Sequence, residues 1–382
     1  MSTLLRDVDR MRAETIGARP SATRVVRVAK NDSAPTPTPM TLGARVVVVA
    51  DVVRETDDAV SLVLRDPSGA PFVFSPGQFL TLIVEVAGER LRRSYSISSS
   101  ADVTDTATVT VKRVAGGKVS GHLVERAQAG MHIEVLGPAG AFTPSSHALV
   151  LFAGGSGITP MMSIARTTLA RDPEARIALI YGSRSARDII FKEALDALVR
   201  EHAPRLVVRH VLGEALDRTV AARELDALGG EHAGRPETEY FMCGPEPMMQ
   251  EVRLALGARG VPDAAVREEK FTPARPLRVA PANDAPRAEN TVQLRVRREG
   301  TDPAIEVRIP TNVPILQAAL AAGVELPYSC TEGGCGACRV HVDDPSTIDM
   351  DVANCLSSKE IREGYILTCV SRARGNVELQ VE

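Results

Sequence analysis

Cys330, Cys335 and Cys338 stand with four and then two residues between them, and Cys369 returns far downstream. Three thiolates on one short loop and a fourth from a distant element is the C-x4-C-x2-C…C spacing of a 2Fe-2S cluster, whose two irons need four soft, deprotonated sulfurs. Gly333, Gly334 and Gly336 lie among the first three cysteines. Lacking side chains, they let backbone N–H groups turn toward the sulfurs. A zinc ribbon would need a second C-x-x-C pair, which is missing. A disulfide framework does not suit a chain of 382 residues with six cysteines and no export signal. Cys355 falls outside the spacing and reads as a small buried apolar residue.

The surroundings of the cysteines carry a resemblance. From Leu326-Pro327-Tyr328-Ser329-Cys330 through Asn354 to Gly364-Tyr365-Ile366-Leu367-Thr368-Cys369, residues 291–382 resemble a plant-type ferredoxin, an α+β roll of the β-grasp kind. A hairpin is predicted over Thr291 to Arg297 and Ile305 to Ile309, a helix over Ile315 to Ala322 and a closing strand over Val377 to Val381.

A second set of reactive residues precedes it. Arg93-Ser94-Tyr95-Ser96 reads as the end of a strand run that begins at Gln78. Period-two alternation puts Arg93 and Tyr95 on one side, Ser94 and Ser96 on the other. A cation for a phosphate and a flat ring beside an isoalloxazine are what a flavin requires, although an exposed strand with one Arg and one Tyr would look the same. Gly116-Gly117-Lys118-Val119-Ser120-Gly121 then opens a predicted helix, whose N-terminal amides and the Ser120 hydroxyl could meet a pyrophosphate. Alternating β-branched runs at Arg45–Val49, Ala59–Leu64, Gln78–Val84 and Thr106–Val114, cut by Asp66-Pro67-Ser68-Gly69 and Ser75-Pro76-Gly77, predict an antiparallel barrel.

Near Ser145 the period changes. Apolar strand runs His147–Phe152, Arg176–Tyr181 and Tyr240–Cys243 alternate with helical stretches Met161–Ala170 and Asp188–Arg200, which predicts a parallel, doubly wound sheet. Such sheets bind nucleotides at the carboxyl ends of their strands. There stands Gly154-Gly155-Ser156-Gly157-Ile158-Thr159-Pro160, with Pro160 suited to a first helical turn. A glycine-rich turn of this kind is as often structural as ligand-binding, but Cys243-Gly244-Pro245, followed by Met248-Met249, brings a thiol to the same edge.

Together these motifs resemble the ferredoxin-NADP reductase superfamily. In that resemblance Arg93 and Ser120 hold the flavin phosphates, Gly117 and Val119 are further cofactor-binding residues, Tyr95 packs on the ring and Ser96 approaches its reactive N5 edge. Gly154, Gly155, Gly157, Thr159, Pro160, Cys243, Gly244, Pro245 and Met248 form the coenzyme site, with Thr159 and Cys243 flanking the nicotinamide. Glu269-Lys270-Phe271 resembles an E-x-F element near the flavin, with Glu268 competing for the role of the acid. Ser96, Thr159, Cys243 and Glu269 are thus the expected catalytic residues, and Phe271 belongs with the cofactor contacts. Gly137-Pro138-Ala139-Gly140-Ala141-Phe142 is more like FAD-using members than FMN-using ones. Ser183 and Arg184 follow the second strand of the sheet, where they could bind a 2′-phosphate. Because the strand end carries no acidic residue of the sort that binds a free 2′-hydroxyl, NADPH is placed ahead of NADH without excluding it.

The expected organisation is an N-terminal extension (1–40) with Pro35-Thr36-Pro37-Thr38-Pro39, a flavin barrel (41–145), a nicotinamide domain (146–271), a proline-rich linker (272–290) and the ferredoxin (291–382). With 45 Lys+Arg against 48 Asp+Glu, nothing favours a nucleic-acid partner, and the ferredoxin part is the acidic one, with 9 against 13. Asp343, Asp344, Asp349 and Asp351 could steer a basic partner or simply be solvated. No apolar run is long enough to span a membrane, and the first twenty residues lack a signal core, so a cytoplasmic location is expected; a monomer is the separate expectation for its assembly. The seven His residues show no ligand spacing.

The modules form one redox sequence. A nicotinamide gives up two electrons as hydride, a cluster of this type accepts one at about −400 mV, and a flavin converts between them. The module order resembles reductase components of oxygenases, of the phenylacetyl-CoA epoxidase and ketosteroid hydroxylase kinds. That resemblance implies an NAD(P)H-dependent oxidoreductase serving a separate monooxygenase, dioxygenase or desaturase. The alternative is a stand-alone flavin reductase of a small acceptor (ferric, quinone or nitric-oxide-linked) with an accessory cluster.

Overall fold

The structure is a computed structural model that describes residues 44–229, 235–271, 291–298, 304–328, 331, 333, 336–350, 356 and 358–381. The N-terminal extension, the linker, Cys330, Cys335, Asp351, Asn354 and Cys355 lie outside the described residues.

The first sheet is antiparallel and six-stranded: β1 (Arg45–Thr56), β2 (Ala59–Arg65), β3 (Phe79–Val86), β4 (Glu89–Ser96), β5 (Thr106–Lys112) and β6 (His132–Ala139), in the order β4-β3-β6-β1-β2-β5. A bridge between Ile97 and Val109 brings the two outer strands together and curls the sheet into a barrel. Alternation decides which residues fill it. Val47, Val49, Leu62, Leu64, Leu80, Leu82, Val109 and Val111 are buried inside, with helix α1 (Lys118–Arg126) adding Val119 and Leu123. Two details differ from the sequence reading. Arg93–Ser96 does not end the strand run from Gln78 but lies on its own strand β4, folded back on β3 through Ala87 and Gly88, both at positive φ. Strand β6 joins β3 to β1 and had no separate expectation.

The second sheet is parallel, in the order β11-β10-β7-β8-β9, from β7 (Ala148–Gly154), β8 (Arg176–Ser183), β9 (Leu206–Leu212), β10 (Glu239–Cys243) and β11 (Val266–Glu269). Helices α2 (Ile158–Arg171), α3 (Lys192–His202), α4 (Arg218–Leu228) and α5 (Glu246–Ala258) connect them, giving the expected doubly wound layer. Helix α3 starts later than the predicted Asp188, because Ala186–Asp188 forms a separate 3-10 turn and Phe191 takes a left-handed φ of 63°. Barrel and sheet share a core: Phe142 packs edge-on against Phe241 at 4.9 Å and, with Ala59, belongs to the cluster formed by Leu151, Ile164 and Tyr181. Polar contacts reinforce the join. Arg166 donates to Ser98 O (2.9 Å), Arg171 to Asp102 (2.8 Å) and Phe191 N to Glu55 (3.2 Å).

The third sheet runs β13-β12-β18-β14-β16, from β12 (Thr291–Arg298), β13 (Ile305–Pro310), β14 (Arg339–Val342), β16 (Tyr365–Leu367) and β18 (Val377–Val381). Helix α6 (Ile315–Ala321) packs Ile315, Leu316 and Ala319 on it, while β15 (Ile348–Met350) pairs with β17 (Ser371–Ala373) and α7 (Ser358–Arg362) precedes β16. The predicted hairpin, helix and closing strand are all present, with the closing strand parallel to β12. Among the described residues no helix is long and apolar enough to cross a membrane.

Candidate functional site

Strand ends bring the reactive residues together. β10 and β11 run in parallel register, with Cys243 opposite Glu269, and β4 delivers Ser96 from the barrel. The Ser96 hydroxyl donates to Glu269 Oε2 at 3.0 Å, so one hydrogen bond closes the seam between two sheets 173 residues apart in sequence. Glu268 points elsewhere and pairs with Arg253, which leaves Glu269 as the acid at the seam. Desolvation pushes the Glu269 carboxyl up to about 7, with the Ser96 hydrogen bond pulling the other way. Cys243 is fully buried; burial first, then the neighbouring Glu269, holds its thiol well above the usual range and therefore protonated. Phe271 follows two residues later and is 44% exposed.

The two glycine-bearing loops interlock beside this seam. A Cβ on Gly157 would lie 2.0 Å from the Cys243 carbonyl oxygen. On Gly154 it would meet Met248 Sδ and Pro245 Cδ at 2.7 Å, and on Gly244 the Gly154 backbone at 3.0 Å. The G-G-x-G and C-G-P strings are therefore one joint, each needing the other's missing side chains. Gly157→Ala is expected to cost about 3 kcal/mol or more, because a backbone carbonyl cannot step aside as a side chain would. A fall of roughly 10 °C in the melting temperature of the purified holoprotein would show it. Thr159 is buried in the first turn of α2 with Pro160, and its hydroxyl donates to Ser156 O (3.0 Å), so it stabilises the turn.

On the barrel, Arg93 and Tyr95 are half-buried on β4, where Tyr95 packs against the barrel core and Arg93 reaches Arg92 O at 2.5 Å. Ser94 faces the other way, hydrogen-bonded to Thr81 at 2.8 Å, so the predicted alternation holds along the strand. Gly117 is the N-cap of α1 and Val119 is buried in the barrel core. Ser120 stands in the first turn of α1, its hydroxyl buried, accepting from Val114 N (3.1 Å) and donating to Gly117 O (3.4 Å), so the side chain shapes the loop beside the helix amides.

A cavity of about 640 Å³ opens at the carboxyl ends of β7, β8 and β10, lined by Gly154, Gly155, Ser183, Arg184, Pro245 and Met248 among others. Tyr181, buried beneath it, donates to Gly155 O (3.1 Å) and accepts from Ile190 N (3.2 Å), and burial pushes its phenol up to about 12. Motif reading passed over Tyr181, Lys112 and Asp188. Tyr181 had a signal, being one of five tyrosines in a chain with 3% aromatics. The other two are ordinary surface charges in sequence and become part of the cavity wall only through folding.

In the third module Cys338 and Cys369 are buried and form no disulfide, and the Cys338 thiol donates to Cys369 Sγ at 3.2 Å. Cys338 closes the loop before β14 and Cys369 follows β16, which pairs with β14. Two thiols from separate elements thus converge, and Thr331, Gly333 and Gly336 adopt positive φ in the loop around them. This donor set fits a thiolate-held cluster. The loop reaches the barrel through Tyr328, whose ring centroid lies 5.3 Å from the Arg92 guanidinium of β4. Of the acidic residues, Asp343 accepts from Gln380 (2.7 Å), Asp344 caps the turn at Ser346 (3.0 Å) and Asp349 pairs with Arg374 (2.8 Å). Each is engaged locally.

Three family sequence models match the chain: an oxidoreductase FAD-binding domain over residues 47–143, an oxidoreductase NAD-binding domain over 151–254 and a 2Fe-2S iron-sulfur cluster binding domain over 298–374. The chain is 39% identical over 335 residues to the ferredoxin reductase component of 3-ketosteroid-9-alpha-monooxygenase from Mycolicibacterium smegmatis, covering 84% of this chain and 92% of that one. The chain belongs to the family of oxygenase reductase components. This reductase is also 34% identical to one of the subunits of 1,2-phenylacetyl-CoA epoxidase from Escherichia coli, over 85% of its length and 93% of the relative. Its fold is similar to that of phthalate dioxygenase reductase, with a TM-score of 0.58 and 27% identity over 89% of this chain and 98% of that one. The reductase is accordingly an oxidoreductase with FAD-, NAD- and 2Fe-2S-binding modules in that order.

Proposed function

We propose that this reductase oxidises a nicotinamide coenzyme and delivers the electrons, one at a time, to a separate oxygenase component. The relatives' names supply the class of acceptor. The observation that carries the reading is the Ser96–Glu269 hydrogen bond across the seam between the flavin and nicotinamide modules, with Cys243 in register behind it. When bound, the flavin accepts two electrons together with a proton and releases the electrons singly, which neither the coenzyme nor the cluster can do alone.

Each group on this chain has a part in that exchange. Arg93 and the amide end of α1 bind phosphates, and Tyr95 offers a ring face. The interlocked glycine loops and the start of α2 take the coenzyme pyrophosphate, with Thr159 and Pro160 fixing the turn. Cys243, Gly244, Pro245 and Met248 form an apolar edge that keeps water from the hydride path, and the protonated thiol adds no charge there. The Ser96 hydroxyl donates to Glu269 Oε2 and orients a carboxyl, raised to about 7, that can take up or release a proton at the seam. Cys330 and Cys335 would complete the thiolate set with Cys338 and Cys369, and Phe271, 44% exposed two residues after Glu269, would add an aromatic face for the flavin. One coenzyme hydride thus yields two single-electron deliveries and one proton.

The test is anaerobic. NADH or NADPH added to the purified holoprotein should bleach the flavin band first and the cluster bands afterwards, and the reduced protein should then support turnover of an oxygenase encoded beside it. Rapid turnover of a small acceptor, with no gain from any protein partner, would overturn the oxygenase reading in favour of a stand-alone reductase.

A further inference from the structure

The wall of the coenzyme cavity bears on which coenzyme enters it. In a doubly wound sheet the end of the strand next to the first one meets the adenosine ribose. Here that strand is β8, which ends at Ser183. In sequence, Ser183-Arg184 looks like a site for a 2′-phosphate. Folding changes its charge. The Arg184 guanidinium pairs with Asp188 and lies 3.3 Å from Asp58, while Asp188 is itself held in place by the Ser185 hydroxyl at 2.6 Å. The 3-10 turn Ala186–Asp188 makes this possible by bringing the acid back beside the strand end. That is the acidic residue whose absence from the strand end had favoured NADPH. The Ser185 hydroxyl and then Arg184 hold the Asp188 carboxyl below the usual range, so it is ionised at neutral pH.

Charge around the cavity agrees. Its wall contains Lys112 and Arg184 but four carboxylates, Asp188, Glu214, Asp217 and Glu251. Lys112 is shared with Asp58 at 3.8 Å. A 2′-phosphate, with nearly two negative charges, would have to separate Arg184 from Asp188 in a wall already net acidic. A 2′-hydroxyl meets no such conflict, since a carboxylate accepts its proton.

We propose that the reductase selects NADH over NADPH, and that Asp188 sets the selectivity by occupying Arg184. This rests on the reading of the cavity as the coenzyme site. The experiment compares kcat/KM for NADH and NADPH in ferricyanide reduction by the holoenzyme, together with dissociation constants for ADP-ribose and 2′-phospho-ADP-ribose, in wild type, D188A and D188A/R184A. Wild type should favour NADH by about tenfold or more and bind ADP-ribose the more tightly, as a displaced ion pair predicts. D188A should shift both ratios toward the phosphorylated ligand by about tenfold, chiefly through KM, and D188A/R184A should cancel the shift because no cation remains to be freed. Wild-type preference for NADPH, or ratios untouched by D188A, would overturn the proposal. If neither coenzyme reduces the flavin, the electron-transfer reading fails, while the two ADP-ribose affinities still decide the question of selectivity.

Discussion

Replacing Cys369 with alanine is expected to lower NAD(P)H-driven cytochrome c reduction by about 100-fold while ferricyanide reduction survives, because cluster binding needs all four thiolates and the flavin module needs none of them. The effect should be large because Cys369, the proposed fourth ligand, comes from outside the loop. It lies 3.2 Å from Cys338, and without it the three loop cysteines are left to enclose two irons from one side. Loss of the reduced-cluster signal in electron paramagnetic resonance checks the cause, and an unchanged flavin spectrum checks that the other modules are intact. If both acceptors are reduced as fast as by wild type, the cluster is not on the electron path. If both are lost together, the modules are not separable in the way their separate cores imply.

The second large effect concerns the seam. Ser96→Ala or Glu269→Gln should each slow flavin reduction by about 10- to 100-fold in anaerobic single-turnover measurements, the range expected for losing a hydrogen bond to a group that can carry charge. Since they are two ends of one 3.0 Å bond, the double variant should be little slower than the worse single one. Full additivity would mean that the two residues act separately. Glu269 also makes a prediction about pH. The folded chain keeps its proton up to about 7 against an ordinary 4.5. The folded state therefore binds more protons than the unfolded one in that window, and this contribution to stability is lost as pH rises through it. Glu269→Gln removes the titration, so its melting temperature should gain on wild type between pH 5.5 and 8. A constant difference across that range would place the carboxyl's titration elsewhere.

How much was legible beforehand can be judged residue by residue. The change from alternating β-branched runs to continuous apolar runs between helices near Ser145 foretold the change from antiparallel to parallel sheet, because exposure on one face or neither is a property of local pattern. The hairpin turn at Ala87-Gly88 did have a signal, Gly88-Glu89-Arg90 between the apolar run and the Arg93–Ser96 motif, but reading that motif as the end of the run from Gln78 passed over it. That the Ser120 hydroxyl accepts from Val114 N was not readable, since it depends on where that loop comes to lie. The competition between Glu268 and Glu269 had no answer in sequence either. Adjacent strand residues face opposite ways, and only the docking of β11 against the barrel shows that the second one meets Ser96.

By itself the sequence determined the cofactor chemistry: cysteine spacing, glycine-rich strand ends and an Arg-x-Tyr-Ser string are local requirements, written within a few residues because a cluster, a pyrophosphate and a flat ring each need close, fixed neighbours. Only the tertiary structure decided how those sites meet. The Ser96–Glu269 seam, the Arg92–Tyr328 contact between barrel and cluster loop, and the capture of Arg184 by Asp188 and Asp58 depend on the packing of separate elements. Charge and hydrogen-bond partnership are properties of distance in space, and no spacing along the chain encodes them.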